Sequence, residues 1–130
     1  MKNLLLFVGL IIGLATIAQE NYNNVIFKFN TKSDFTNQFQ NKTIEKNYNF
    51  IISGIESDKQ ATKIEKSISS YRGVLSFSIS EPSVNGDRNA ELKLYKYADH
   101  WKYYEYLFSK NGINKIMVNN REYLPSELEK

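Results

Sequence analysis

The sequence contains no cysteine. Disulfide bonds and thiolate chemistry are therefore excluded, and so is a lipoprotein that is acylated on cysteine. The chain has a single histidine, His100, and two methionines, one of which, Met117, lies outside the N-terminal apolar run. No cluster of the soft ligands that select Cu(I) or Zn can be assembled from this set.

A strong charge of one sign is also missing. The 17 basic and 14 acidic residues are spread along the chain and give a formal net charge of +3. The sequence pI is about 9.0. So small an excess is weak support for binding to nucleic acid or to a membrane surface, and we expect no nucleic-acid partner.

The apolar run at the N-terminus is too short for a membrane span. Lys2 precedes apolar residues from Leu4 to Ile17, and small residues end the run at Ala18. A membrane helix needs roughly 20 apolar residues, whereas this pattern is typical of a signal peptide. We therefore expect residues 1–18 to be cleaved and the chain to be exported, periplasmic or secreted, without a transmembrane span. An uncleaved anchor is the alternative.

The remaining chain divides into three parts. Residues 19–47 form a short N-terminal extension, in which alternating Val25, Phe27 and Phe29 predict a strand and Phe35 and Phe39, four residues apart, predict a short helix. Residues 48–119 hold the regular patterns of one domain. Residues 120–130 are interpreted as a polar tail.

The central part predicts six elements in the order strand, helix, strand, strand, helix, strand. The first helix has one apolar stripe, and the following strand alternates apolar residues with serines. The stripe consists of Ala61, Ile64, Ile68 and Tyr71, and the alternating residues are Leu75, Phe77 and Ile79. With right-handed crossovers this order gives an α+β fold, a ferredoxin-like βαββαβ sandwich with a four-stranded antiparallel sheet and both helices on one face.

Glycine positions in this part resemble those of heavy-metal-associated domains, the copper chaperone-like members of the ferredoxin-like fold. Gly54-Ile55 follows the first strand, Gly73-Val74 opens the second, and Asn111-Gly112-Ile113 follows the second helix. The resemblance covers residues 48–119. It implies a ligand loop at the start of the first helix, where the family places a Cys-x-x-Cys pair.

Ser57 and Gln60 stand where the two cysteines of the family would be, so a thiolate metal site is absent. These two residues form the pattern of a capping box, in which Ser57 accepts from the third helical amide and Gln60 accepts from the Ser57 amide. Glu56 and Asp58 add negative charge beside the positive end of the helix. The alternative is a metal site with oxygen or nitrogen ligands at Glu56, Ser57, Asp58 and Gln60. No cofactor is expected.

The second helix carries the most unusual composition, WKYYEYLF. On a helical wheel Trp101, Tyr104, Leu107 and Phe108 form one apolar face, whereas Tyr103 and Tyr106 point away from it. Outward tyrosines can anchor a protein partner or stack on a sugar, and the alternative is that the N-terminal unit packs over them or over the sheet. Together with Lys59, Lys63 and Lys66 of the first helix, Tyr103 and Tyr106 are the predicted partner surface.

Catalytic patterns are lacking. No serine lies in an elbow motif, and His100 next to Asp99 is better interpreted as an exposed residue of the first helical turn than as a general base. We therefore expect an exported, non-enzymatic interaction or binding domain whose partner is another envelope protein, with a homodimer left open. The alternative is a metal-binding or transport accessory protein that uses the loop from Glu56 to Gln60.

Overall fold

The computed structural model describes residues 20–30, 45–95 and 101–128. The predicted signal peptide, the predicted helix around Phe35 and Phe39, and His100 lie outside these residues. Within them the fold is α+β, as predicted, with a mixed six-stranded sheet and two helices. None of the helices in the described ranges is long and apolar enough to cross a membrane.

The elements follow one another as β1, β2, α1, β3, β4, α2, β5 and β6, with a short 3-10 turn at the end. The strands are β1 (Ile26–Phe29), β2 (Glu45–Ser53), β3 (Val74–Ile79), β4 (Arg88–Tyr95), β5 (Lys115–Val118) and β6 (Arg121–Tyr123). The helices are α1 (Asp58–Ser69) and α2 (Trp101–Lys110), and the 3-10 turn is Pro125–Glu127.

The sheet differs from the predicted four-stranded antiparallel arrangement. Its strand order is β3-β4-β2-β1-β5-β6, so the strand of the predicted N-terminal extension lies in the middle. β1 pairs antiparallel with β2, bringing Ile26 opposite Ser53, and parallel with β5, bringing Ile26 opposite Lys115. The predicted boundary between residues 47 and 48 therefore falls inside β2 and separates no independent unit.

The predicted start and apolar stripe of the first helix are present in α1. Ser57 is the N-cap, and Ala61, Ile64 and Ile68 are buried against the sheet. Burying three apolar side chains along one face is what fixes a helix of this length, because its intrinsic stability in water is marginal. Tyr71, predicted as the end of the stripe, is half-buried and packs at the margin of the core.

α2 packs on the same face of the sheet as α1. Tyr104, Leu107 and Phe108 are buried, as predicted, in the cluster that also contains Ile64 and Ile68 of α1. Phe108 meets Phe27 of β1 edge to face, with ring centroids 5.7 Å apart. Aromatic pairs of this geometry stabilise a core beyond the area that they bury.

One polar contact crosses this core. The hydroxyl groups of Tyr48 in β2 and Tyr104 in α2 are hydrogen-bonded at 2.5 Å, and their rings meet edge to face. A buried hydroxyl without a partner would be costly, so this pair fixes where α2 lies along β2. The sequence predicted that Tyr104 lies on the apolar face of the helix, but it did not predict this hydrogen bond.

β3 departs from the predicted alternation. A β-bulge between Val74 and Ser76 places two residues opposite Lys93, so that Val74 is buried and Leu75 is 39% exposed. The extra residue shifts every side chain before the bulge to the other face of the strand. The prediction that Leu75 shares the inner face with Phe77 is therefore wrong.

The outer edge of β3 is covered by α1. The Ile79 amide donates to the Glu65 carboxylate at 2.8 Å, and the Ser69 hydroxyl donates to the Phe77 carbonyl at 3.1 Å. Both backbone groups lie on the side of β3 away from β4, where another strand would pair. α1 thus satisfies two of the groups that an edge strand leaves open.

A polar tail was predicted for residues 120–130, but residues 121–128 form a strand, a 3-10 turn and a core contact. Asn119 and Asn120 have positive φ values of 51° and 66° and turn the chain from β5 into β6. Two successive asparagines in this conformation make the tight hairpin turn that suits the twist of a sheet. After the 3-10 turn, Leu128 is buried in the core with 2% exposure.

Candidate functional site

The residues before β1 lie against two of the glycines on which the family resemblance rests. A Cβ at Gly54 would lie 1.7 Å from the Asn24 carbonyl oxygen, and one at Gly112 would lie 2.1 Å from that of Glu20. Both glycines have positive φ, and the Tyr22 amide donates to the Gly112 carbonyl at 2.9 Å. Both glycines thus allow the backbone of residues 20–25 to pack closely against them, and this role involves no metal.

This packing places Glu20 beside α1. The Lys63 ammonium group donates to the Glu20 carboxylate at 2.9 Å, and both side chains are about half exposed, at 51% and 55%. The hydrogen bond from Lys63, followed by its positive charge, lowers the pKa of Glu20, and the same contact raises the pKa of Lys63. Burial raises the pKa of neighbouring Tyr22, and the Glu20 charge adds to this.

A depression of about 400 Å³ opens beside this ion pair, between the ends of the two helices. Its lining includes Glu20, Lys63 and Lys110, which together we name the cationic end. Among the described residues, no acidic side chain forms an ion pair with Lys110. The cationic end therefore holds two ammonium groups and one carboxylate, and that carboxylate already binds Lys63.

Below the cationic end the helices are joined by Asn111. Its side-chain amide donates to the Leu107 carbonyl at 2.6 Å, and its side-chain oxygen accepts from the Ser67 hydroxyl at 2.5 Å. Asn111 is buried, so satisfying both ends of its amide is required for stability. The family resemblance drew attention to this position because Gly112 follows it. The observed contacts of Asn111 itself fix the spacing of α1 and α2.

Three tyrosines cluster farther along the same helix pair. The rings of Tyr71 and Tyr103 lie 6.0 Å apart, and the Tyr103 hydroxyl donates to the Arg72 carbonyl at 2.8 Å. Burial raises the pKa of Tyr71, and nearby Tyr106 adds to the shift. Tyr106 is 45% exposed. We name Tyr71, Tyr103 and Tyr106 the tyrosine end.

The cationic end and the tyrosine end both lie where α1 and α2 meet, and we name the surface that joins them the interhelical groove. Lys63 and Ser67 are four residues apart on one side of α1, and Tyr71, two residues after the end of α1, packs against Tyr103 of α2. Tyr103, Tyr106 and Lys110 share the corresponding side of α2. From Lys63 the helix rises about 9 Å to Ser69, and Tyr71 lies two residues farther on, so the two ends are separated by the reach of about four residues of extended chain.

The predicted partner surface is thus partly rearranged. Lys63 and Tyr106 lie in the groove as exposed residues, whereas Tyr103 is half-buried and hydrogen-bonded to the backbone. Lys59 and Lys66 are exposed on the outer side of α1, beside the groove. The sequence-based prediction missed three members, Glu20, Tyr71 and Lys110. The four-residue spacing of Lys63, Ser67 and Tyr71 could have indicated Tyr71, but only the fold brings Glu20 and Lys110 to Lys63.

The predicted loop at the start of α1 forms a capping arrangement. Ser57 accepts from the Gln60 amide at 3.1 Å, as predicted, whereas Gln60 accepts from the Glu56 amide at 2.8 Å and not from the amide of Ser57. Asp58 binds the buried Arg88 guanidinium group at 2.9 Å. Each of the four loop residues therefore takes part in a contact that fixes the start of α1.

Metal-ligating groups are not gathered in the described ranges. No three histidine, aspartate or glutamate side chains lie close enough there to hold a metal ion. The side chains of Glu56 and Asp58, which were the predicted carboxylate ligands, are joined by no further acidic group or histidine. Two carboxylates fall short of the roughly six to eight oxygens that Ca²⁺ takes.

Comparison of the chain with protein-family models, with curated proteins and with solved structures found no match.

Proposed function

We propose that this protein is an exported, non-enzymatic interaction domain that binds another envelope protein through its two helices. The observation that carries the proposal is the tyrosine end. Three tyrosines gather there, of which Tyr71 and Tyr103 are half-buried at the margin of the core and Tyr106 is 45% exposed. Tyrosine is enriched at the centres of protein interfaces because a large apolar ring ends in a hydrogen-bonding group.

We also propose that the fold is a variant of the ferredoxin-like sandwich, similar to heavy-metal-associated domains that have lost their thiolate pair. Its support is the chain order from β2 to β5, which is strand, helix, strand, strand, helix, strand. Without β1, the strand order is β3-β4-β2-β5. Each helix then connects two strands that are separated by one other strand, as in the ferredoxin-like fold. β1 would then be a strand inserted between the first and last strands.

The interaction proposal is tested by crosslinking in the cells that produce the protein. A photoreactive phenylalanine analogue replaces Tyr106 in one strain and Tyr95 in another, because Tyr95 is exposed to a similar degree, 41%. Tyr95 is the last residue of β4, and its side chain lies on the face of the sheet opposite to the helices, because its neighbour Leu94 is buried on the inner face. We expect a defined adduct from position 106 and none from position 95.

A second variant makes the test independent of the probe. Tyr106→Ala is expected to weaken the captured complex at least about tenfold, as truncation of an interface hot spot does. Thermal unfolding of the purified variant should be unchanged, since Tyr106 lies outside the core. Adducts of the same kind from both positions, or an unaffected complex in Tyr106→Ala, would contradict the proposal.

A further inference from the structure

We propose that the interhelical groove binds an acidic segment of the partner, whose carboxylates bind Lys63 and Lys110 while an adjacent apolar side chain packs on Tyr71 and Tyr106. This inference rests on the proposed function and names the chemistry of the partner. The length of the acidic segment follows from that of the groove, because the distance from the cationic end to the tyrosine end suits about four extended residues.

The first support is the contact that the groove already makes. The Glu20 carboxylate binds Lys63 at 2.9 Å in the cationic end, so a carboxylate is the chemistry that this end accepts. Glu20 reaches it from a neighbouring segment of the chain and not from either helix. It therefore stands in the place where a carboxylate of a partner would bind.

The second support is the positive charge on the two helices that Glu20 does not neutralise. No acidic side chain in the described residues pairs with Lys110, and exposed Lys59, Lys66 and Arg72 lie along α1 or directly after it. Glu105 of α2 is already paired with Lys102 at 3.4 Å. The helical side of the protein is thus complementary to an acidic partner.

The third support is the other end of the groove. Lys102 lies 5.9 Å from the centre of the Tyr106 ring, on the outer side of α2. The exposed part of the Tyr106 ring therefore lies beside a positive group, and the half-buried rings of Tyr71 and Tyr103 add apolar surface next to it. An acidic segment that includes one apolar residue satisfies both ends at once.

Glu20 would act as an internal competitor of the partner. An exposed ion pair contributes little stability, so a second carboxylate can displace Glu20 from Lys63 at small cost. The variant Glu20→Gln removes this competition without removing a lysine. It should therefore bind an acidic segment more tightly than the unchanged chain does.

The test uses a fluorescein-labelled peptide of four glutamates followed by one phenylalanine, with binding to the full chain measured by fluorescence anisotropy. We expect Lys110→Glu to weaken binding at least about tenfold. Lys115→Glu changes the charge equally but lies on β5, on the opposite face of the sheet, and should leave the dissociation constant within about twofold. Glu20→Gln should tighten binding about threefold.

Three results would overturn the inference. An equal loss of peptide binding in Lys110→Glu and Lys115→Glu would mean that the peptide is attracted by net charge alone. Unchanged binding in Glu20→Gln would mean that the peptide does not reach Lys63. Binding to phosphatidylglycerol vesicles but not to the peptide would mean that the groove accepts a lipid headgroup and not a protein.

The crosslinking experiment separates this inference from the proposed function. If Tyr106→Ala weakens the cellular complex and Lys110→Glu does not, the proposed interaction function is supported, but the partner does not place an acidic group at the cationic end. If neither variant has an effect, both proposals fail. If both variants weaken the complex while Lys115→Glu does not, both are supported.

Discussion

At the scale of single residues, Gly54 and Gly112 determine how the chain enters the fold. Each has a positive φ, and each lies so close to the backbone of residues 20–25 that a methyl group would not fit. The resemblance to heavy-metal-associated domains directs attention to Gly54 as the border of a ligand loop and to Gly112 as the glycine after the second helix. Their contacts give them a different role, which is to accept the segment that carries Glu20 to the groove.

We predict that Gly54→Ala lowers the free energy of unfolding by more than about 3 kcal/mol, because it combines a left-handed backbone with a steric clash. The added methyl would lie 1.7 Å from the Asn24 carbonyl oxygen, and backbone must move to avoid it. The measurement is urea unfolding followed by tryptophan fluorescence or circular dichroism.

Gly86→Ala is the matched control for this prediction. Gly86 has a φ of 90°, close to the 84° of Gly54, but a Cβ there meets no atom within 4 Å. Its substitution should therefore cost only the backbone strain, about 1–2 kcal/mol. Equal losses in the two variants would show that residues 20–25 do not press on Gly54.

Residue-scale predictions from the sequence succeeded where the cause is local. Ser57 caps α1 because a serine before an amphipathic run has the Gln60 amide within reach, whatever the rest of the chain does. The capping partner of Gln60 was misplaced by one residue, since its flexible side chain reaches the amide of Glu56 as easily as that of Ser57. The ion pair between Glu20 and Lys63 depends on the whole fold and has no local signal.

At the scale of elements, α1 is both a core helix and the cover of the β3 edge. Its inner stripe packs on the sheet, and one flank offers Glu65 and Ser69 to the outward backbone groups of Ile79 and Phe77. Uncovered strand edges are the common route by which sheets pair between molecules. The homodimer left open by the sequence is therefore hindered at β3.

We predict that Glu65→Ala combined with Ser69→Ala makes the protein associate through β3. The double variant leaves the Ile79 amide and the Phe77 carbonyl without partners, and a second β3 can satisfy them. Sedimentation velocity at increasing protein concentration should show dimers or larger species that the unchanged chain lacks.

Lys59→Ala combined with Lys66→Ala controls for general effects of changing α1. These lysines are exposed on the same helix, and among the described residues neither ammonium group donates a hydrogen bond to β3. This pair of substitutions should leave the oligomeric state unchanged. Association in the control, or none in the Glu65 and Ser69 variant, would show that the two side chains do not protect the edge.

Element types were predictable from periodicity, but the order of the strands was not. The alternation of Val25, Phe27 and Phe29 predicted β1 and its buried face, and both are observed. Nothing in a four-residue strand specifies its neighbours, because pairing depends on residues far away in the sequence. The bulge at Leu75 was hidden for a related reason, since a bulge inserts one residue without interrupting an apolar pattern.

At the scale of the whole molecule, β1 joins the two halves of the sheet. On one side it pairs with β2 of the β3-β4-β2 half, and on the other with β5 of the β5-β6 half. The part predicted as a domain, residues 48–119, lacks β1 and the beginning of β2. The core of that part would lack Phe27 and Phe29, which are 0% and 4% exposed.

We therefore predict that a chain of residues 48–119 does not fold, whereas residues 19–130 do. Removing β1 deletes two buried phenylalanines and leaves the facing edges of β2 and β5 without partners, a loss of several kcal/mol from a total stability of about 5–15 kcal/mol. Circular dichroism and proton NMR dispersion distinguish the two outcomes. A dispersed spectrum from residues 48–119 would show that β2 and β5 can pair directly, as in a four-stranded sheet.

The parallel pairing of β1 with β5 also determines when this protein can fold. Ile26 lies opposite Lys115, so the centre of the sheet closes only after nearly the whole chain is available. Contacts between such distant residues slow folding, because the entropy of closing the loop between them is lost before the contact compensates for it. An emerging chain would stay unfolded until its C-terminal strands appear, and an unfolded chain is what a membrane translocation channel requires. In the export proposed here, the central place of β1 would thus keep the growing chain in the unfolded form that the channel accepts until its C-terminal strands are made.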